Sequence, residues 1–191
     1  ILSTLGLASH ARAEVVVFPD PALEALIREN IGMPTGDIEE SDLEDLQILD
    51  AAGKGIVDIS GIGKCVNLDA LDLSENAIAD ISELAELSNL TVLGLSENGL
   101  ENILPLAELT NLISLSLPFN KFQGADLHVV LSSLANLVSL DLSRNGLTDT
   151  GNIPPLPNLE RLELAFNQIS DISGLEDCPK LTHLNLHRNK L

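Results

Sequence analysis

Residues Leu71–Leu100 read LDLSENAIADISELAELSNLTVLGLSENGL, a phrase spoken nearly twice: LDLSENAI returns 22 residues later as LGLSENGL. A period in this range marks a supersecondary unit copied in tandem, because one such unit cannot bury its apolar side alone. Working outward from the pair, the same frame divides the chain from Asp45 onward. Asp45–Val66, Asn67–Ser88, Asn89–Thr110, Asn136–Pro157 and Asn158–Pro179 are each 22 residues long, Asn111–Ala135 is 25, and Lys180–Leu191 is a unit stopped after 12.

Six successive units open with a version of LxxLxLxxNxL: LDALDLSENAI, LTVLGLSENGL, LISLSLPFNKF, LVSLDLSRNGL, LERLELAFNQI and LTHLNLHRNKL. This is the leucine-rich repeat signature, and six tandem matches exclude coincidence. The predicted fold class is α/β: a curved horseshoe solenoid, with a parallel sheet on its concave face and 3₁₀ or short helical turns on its convex face. LxL sends alternate side chains inward along a strand, and stacking the units buries them. The Asn where the chain leaves the strand (Asn76, Asn98, Asn120, Asn145, Asn167, Asn189) can offer its amide to backbone groups that the turn leaves unpaired. Stacked, these form a structural ladder. The earliest unit, LQILDAAGKGI, has Lys54 in that place, an imperfect first rung.

The rest of each unit reads xDISxLxxL, with Leu or Ile at three-residue intervals that fit a 3₁₀ turn. Asp58, Asp80, Asp149 and Asp171 precede this turn and are expected to cap free amides. A calcium ladder is the sharper alternative, but the carboxylates lack the dense spacing of calcium loops. In Asn111–Ala135, GADLHVVLSSLA puts Leu127, Val130, Leu131 and Leu134 at helical intervals, so a true helix is expected there. In Asn136–Pro157, Thr150 stands where Ile is expected and Pro154, Pro155 and Pro157 follow, which predicts an extended outer side.

Ahead of the repeats, Asp20-Pro21 opens a helix, Leu23, Leu26 and Ile27 give its apolar stripe, and Gly32 stops it. Ser41-x-x-Glu44 reads as a capping box for a second short helix. The expected organisation is a helical N-terminal cap over 14–44 and repeats over 45–191. ILSTLGLA followed by His10-Ala11-Arg12-Ala13 matches an apolar run and an Ala-x-Ala cleavage site. Residues 1–13 therefore read as the remnant of a signal peptide, with an ordinary frayed terminus as the plainer alternative. The run is far too short to span a bilayer. At the other end the last unit stops midway, which reads as truncation of a longer array; such an uncapped end also offers an edge for self-association.

The run FPDPALEALIRENIG, then SDLEDLQILDAAGKGIVDISGI, then the 22-residue repeats with DIS resembles the internalins and related secreted bacterial leucine-rich repeat proteins. The likeness runs from about Phe18 to the end. It implies an exported, cell-surface, non-enzymatic module, a right-handed solenoid that binds a protein or glycan ligand on its concave face, in adhesion for example. Internalins bind host receptors in this way, but their receptor-contacting residues do not transfer to this chain. The 22-residue units also resemble those of an intracellular phosphatase-regulating leucine-rich protein, so an intracellular scaffold is a second reading. A passive envelope spacer is a third.

Composition narrows the partners. Lys and Arg number 10 against 29 Asp and Glu, a formal net charge of −19. Phosphate backbones and anionic lipids are repelled, so neither nucleic acid nor direct membrane insertion is expected. The residues up to Thr110 hold 21 of the acids and 4 of the bases. Aromatics are 2% of the chain, four Phe with no Trp or Tyr, so the usual interface anchors are missing. Yet the column just before the ladder Asn runs Gly53, Glu75, Glu97, Phe119, Arg144, Phe166, Arg188. Its last four members, at about 4.8 Å per strand, should form a strip of alternating aromatic and cation. With Arg161, His183 and His187 nearby, this strip is the candidate concave ligand site. The alternative is that the rings pack locally over the Asn turn.

No catalytic or cofactor motif is present: no GxSxG, HExxH or phosphate loop. No metal site is expected either, since His183 and His187 lie about 13 Å apart along a strand, too far to share a zinc ion. Cys65 and Cys178 are five units, about 24 Å, apart, beyond the roughly 7 Å a disulfide allows, and are read as buried core thiols.

Overall fold

The computed structural model describes residues 14–122 and 124–191; the signal-peptide reading falls on 1–13, outside the described residues. Two short strands, β1 (Val15–Val16) and β2 (Ile38–Glu39), flank helix α1 (Pro21–Ile31) and pair antiparallel. Each repeat then contributes one strand: β3 (Ile48–Asp50), β4 (Ala70–Asp72), β5 (Val92–Gly94), β6 (Ser114–Ser116), β7 (Ser139–Asp141), β8 (Arg161–Glu163) and β9 (His183–Asn185). They form one parallel sheet in sequence order, with Leu49, Leu71, Leu93, Leu115, Leu140, Leu162 and Leu184 in register. The chain is a leucine-rich repeat solenoid. From Leu49 to Leu164 the inward leucines of LxL are buried to 1% exposure or less, so the core is a stack of aliphatic layers.

The convex side is built from 3₁₀ turns at Ile62–Lys64, Ser82–Glu86, Leu104–Glu108 and Ser173–Leu175. Helix α2 (Gly124–Ser133) replaces the turn in the 25-residue unit and buries Leu127, Val130 and Leu131. The acids before the turns each accept from the amide two residues on: Ser60 to Asp58 at 2.8 Å, and Ser82, Gly151 and Ser173 to Asp80, Asp149 and Asp171 at 2.9 Å. Hydrogen bonds from Ser60 and Ser173 hold the carboxyls of Asp58 and Asp171 below the usual range. In the proline-rich unit no 3₁₀ helix forms between the turns at Gly151–Asn152 and Pro157–Asn158. Thr150 is fully buried, and its hydroxyl accepts from Gly174 N at 3.2 Å. The hydroxyl thus links two units where the other repeats pack an aliphatic side chain.

α1 is capped by Asp20, whose Oδ1 accepts from Ala22 N and Leu23 N, and ends at Gly32 with φ of 69°. The same carboxylate reaches the first repeat, where Oδ2 accepts from Val57 N at 2.8 Å and Asp58 N at 3.2 Å. Burial opposes its ionisation most, yet the four amides outweigh burial and lower its pKa. Gly61 marks the same junction. A Cβ there would lie 2.5 Å from Val17 O, so only glycine fits. The second cap helix is a single 3₁₀ turn, Glu40–Leu43, and its capping box is Glu39 with Asp42, not Ser41 with Glu44. Pairing of Glu39 with Val15 keeps the chain extended to that point, so the turn begins before Ser41.

Candidate functional site: the concave face and its rim

The rim is set by a backbone constraint that the sequence pattern conceals. Glu75, Glu97, Phe119, Arg144, Phe166 and Arg188 all adopt φ between 54° and 59°, and Gly53 in the first unit has φ of 63°. A left-handed conformation costs an L-residue about 1–2 kcal/mol. Here it turns the chain sharply off the strand, so the next residue, the ladder Asn, points inward. Asn98 Nδ2 donates to Leu73 O and Leu95 O while its Oδ1 accepts from Ile78 N at 3.1 Å. Asn76, Asn120, Asn167 and Asn189 repeat this pattern. Asn145, next to the 25-residue unit, instead accepts from Asn120 N at 2.8 Å. No buried side-chain polar atom among the described residues lacks a partner. The left-handed residue therefore has a fixed backbone, and its side chain stands at the rim.

Side-chain chemistry takes over there. Arg144 Cζ lies 3.7 Å from the Phe166 ring centroid and 4.6 Å from that of Phe119, and Arg188 Cζ lies 5.0 Å from Phe166. The structure thus brings Phe119, Arg144, Phe166 and Arg188 into one continuous stack, in strand order. His187 meets Phe166 edge-on at 5.9 Å and accepts from Arg188 Nε at 3.3 Å. Both rings stay partly open to solvent: Phe119 is 46% exposed and Phe166 36%. Each ring–guanidinium contact is worth about 0.5–1 kcal/mol at such exposure.

Arg161 and His183 do not join the stack. Both bond to Glu163, His183 through Nε2 at 2.9 Å, in a separate cluster on the strands. Sequence reasoning missed this capture, although strand spacing places Glu163 beside both. It also missed a second row of asparagines. Asn67, Asn89, Asn111, Asn136 and Asn158 each donate from Nδ2 to the carbonyl of the residue just before the preceding unit begins (Glu44, Val66, Ser88, Thr110 and Ala135), at 2.9–3.0 Å. Each bond thus spans a whole unit, and the recurrence of Asn at the first place was the available signal. Cys65 and Cys178 are buried and free, and burial pushes the Cys65 thiol up to about 12. Among the described residues, no group of three or more His, Cys, Asp or Glu is placed to hold a metal ion, and no helix is long and apolar enough to cross a membrane.

The geometry defines a leucine-rich repeat protein, and the comparisons agree. Family models for leucine-rich repeats match residues 133–152 and, as two copies, 157–191. Among solved structures, an internalin (inlF) from Listeria monocytogenes is 29% identical with a TM-score of 0.75, over 92% of this chain and 58% of that one. Internalin C2 (inlC2) from the same organism is 28% identical with a TM-score of 0.71, over 94% of this chain and 91% of that one. No curated protein sequence gives a significant match. The chain is an internalin-like leucine-rich repeat protein, and it spans less than two thirds of the inlF chain it resembles.

Proposed function

We propose that this chain is an exported, non-enzymatic recognition module that holds a protein or glycan ligand on its concave face, with Phe119, Arg144, Phe166 and Arg188 as the anchor. The observation that carries the reading is the stack itself. Four rim residues are fixed by left-handed turns and by one another, so little side-chain freedom is lost when a ligand arrives. Half-exposed Phe beside Arg is also the composition of interface hot spots. The Arg161–Glu163–His183 cluster extends the same face with polar contacts. The Ala-x-Ala sequence ending at Ala13 supports export, and a surface module of this kind suits adhesion.

The test has two arms. Labelled wild-type chain and a Phe119→Ala/Phe166→Ala variant are compared for binding to panels of extracellular protein ectodomains and of glycans. The reading expects at least one binder that the variant loses while its thermal unfolding stays cooperative. If every binder survives, or none is found, the spacer reading takes its place. Separately, fractionation with N-terminal sequencing is expected to find the protein in envelope or medium, beginning at Glu14. An uncleaved cytosolic protein would favour the intracellular scaffold.

A further inference from the structure

Arg144 is the one member of the stack held between two rings, and its guanidinium has been left without an anion. The chain carries 29 acids, yet none of the ion pairs among the described residues includes Arg144. The reasons are structural. Glu97 stands in the same column one unit before Phe119 and so two units before Arg144. Glu163 is engaged by Arg161 and His183. The Oδ1 of Asp141 accepts from Ser143 N at 2.9 Å. Contrast Arg28, whose guanidinium bonds to Glu24, Met33 O and Gly36 O.

A guanidinium flanked by rings on both sides keeps its planar edge free, and that edge carries the N–H fork that matches a carboxylate. Stacking fixes the direction of the fork and excludes water from its faces, which strengthens a charge-assisted pair formed at the edge. We infer that the Phe119–Arg144–Phe166 sandwich is a preformed receptor for a carboxylate, and that the ligand is an acidic protein segment. This rests on the concave-face reading above and adds the ligand's chemistry to it.

Two observations favour a protein carboxylate over a sugar acid. Arg144 and Arg188 both lie against Phe166, and Arg144 lies against Phe119, so the ring faces inside the stack are closed to a pyranose ring; the chain has no Trp or Tyr to substitute. Inside the stack the ring edges and the two guanidinium forks remain open; the forks stand two strands apart, and their Cζ atoms, 3.7 Å and 5.0 Å from the Phe166 centroid, lie within about 9 Å of each other. An extended polyproline II segment returns to the same side every three residues, about 9 Å along its axis. Two acids in the spacing Glu-x-x-Glu then meet Arg144 and Arg188 together. The net charge of −19 gives such a ligand no long-range attraction, so affinity must come from these local contacts within a Debye length of about 8 Å.

The probe is a fluorescent peptide containing Glu-Pro-Pro-Glu, with its Gln-Pro-Pro-Gln counterpart, titrated against the whole chain by anisotropy. The Glu peptide should bind about tenfold tighter than the Gln peptide. Arg144→Lys, which keeps the charge and removes the fork, should lower the affinity for the Glu peptide by about fivefold or more. Arg144→Gln should abolish the preference for Glu. Unchanged thermal midpoints separate these effects from misfolding. In the free chain the Arg144 Nε–H proton should resonate upfield, in the ring currents of Phe119 and Phe166, and shift on adding the Glu peptide alone. Equal binding of the two peptides, no binding of either, or full affinity in Arg144→Lys overturns the inference. So does a sialylated glycan that competes for the Arg144 fork while the Glu peptide fails. If a ligand lost in Phe119→Ala/Phe166→Ala is retained in Arg144→Gln, the carboxylate receptor is wrong and the concave-face reading stands. If no ligand is lost in either, both fall.

Discussion

Replacing Asn120 by Ala gives the ladder its sharpest test, because this rung is 5% exposed and its partners are known atom by atom. Its Nδ2 donates to Leu95 O and Leu117 O at 3.0 Å, and its Oδ1 accepts from Leu100 N at 2.9 Å. The carbonyls are not orphaned by the change. Leu95 O keeps Asn98 Nδ2 at 3.2 Å, and Leu117 O keeps Asn145 Nδ2 at 3.0 Å. Leu100 N–H loses its only acceptor in a buried place. The cost is about 1–3 kcal/mol for that orphaned donor and about 1 kcal/mol for the bonds to carbonyls that retain other partners. Destabilisation should therefore be about 3 kcal/mol, or about 6–12 °C in melting temperature for a chain of this size. Urea unfolding followed by circular dichroism measures it, and amide exchange should show Leu100 N–H losing protection. Asn189→Ala is the control, since its half-buried site lets water replace the lost partner at Ile169 N. An Asn120→Ala loss below about 1 kcal/mol, or one no larger than that of Asn189→Ala, would refute the ladder as a source of stability.

Other positions make separate demands. Asp20 has a lowered folded pKa, so its contribution is present above the unfolded value of about 3.9 and is lost as pH falls through the folded value. The slope of unfolding free energy against pH below about 4 should be shallower in Asp20→Asn; an identical slope removes Asp20 as the acid-sensitive link between cap and repeats. At the left-handed rim, Glu97→Val should cost about 1–2 kcal/mol and Glu97→Asn almost nothing, because a β-branched residue tolerates positive φ worst; equal thermal midpoints for the two would contradict the backbone account. A Cβ at Gly174 would lie 2.2 Å from Thr150 O, so Gly174→Ala should cost more than about 2 kcal/mol in the same assay. With its thiol buried and pushed up to about 12, Cys65 should react with a thiol reagent only on unfolding, which native-state labelling and peptide mapping will show.

The repeat was legible because its signal is the one physics repeats. LxL every 22 residues specifies strands, register and sheet order together, and the 25-residue unit declared α2 through Leu127, Val130, Leu131 and Leu134. The cap was harder to read. Val15–Val16 pairing with Ile38–Glu39 is a contact of two residues between distant segments, too short to leave a periodic trace, and it moved the capping box from Ser41 to Glu39. Asp20 was legible as a helix cap but not as the acceptor for Val57 and Asp58, since nothing local marks a bond across 37 residues. At the site, column spacing alone placed Phe119, Arg144, Phe166 and Arg188 together. It placed Arg161 and His183 beside them too, and could not weigh Glu163, which binds both.

What the sequence hid at the rim is also what makes the rim usable. The residue before each ladder Asn sits at positive φ whether it is Glu75, Phe119 or Arg144, as does Gly53 before Lys54, so the turn dictates the backbone and leaves the side chain unassigned. Asparagine or glycine would relieve the strain at every one of these places. Glycine occupies one of the seven, and six carry long or aromatic side chains instead, each at a cost of about 1–2 kcal/mol. In the last four units that strain supports a stack of rings and cations, whereas Glu75 and Glu97 stand outside the stack and keep the N-terminal rim acidic. The same turn chemistry thus yields two rims on one sheet, one anionic and one built from Phe and Arg, and a ligand engaging both must carry opposite charge at its two ends.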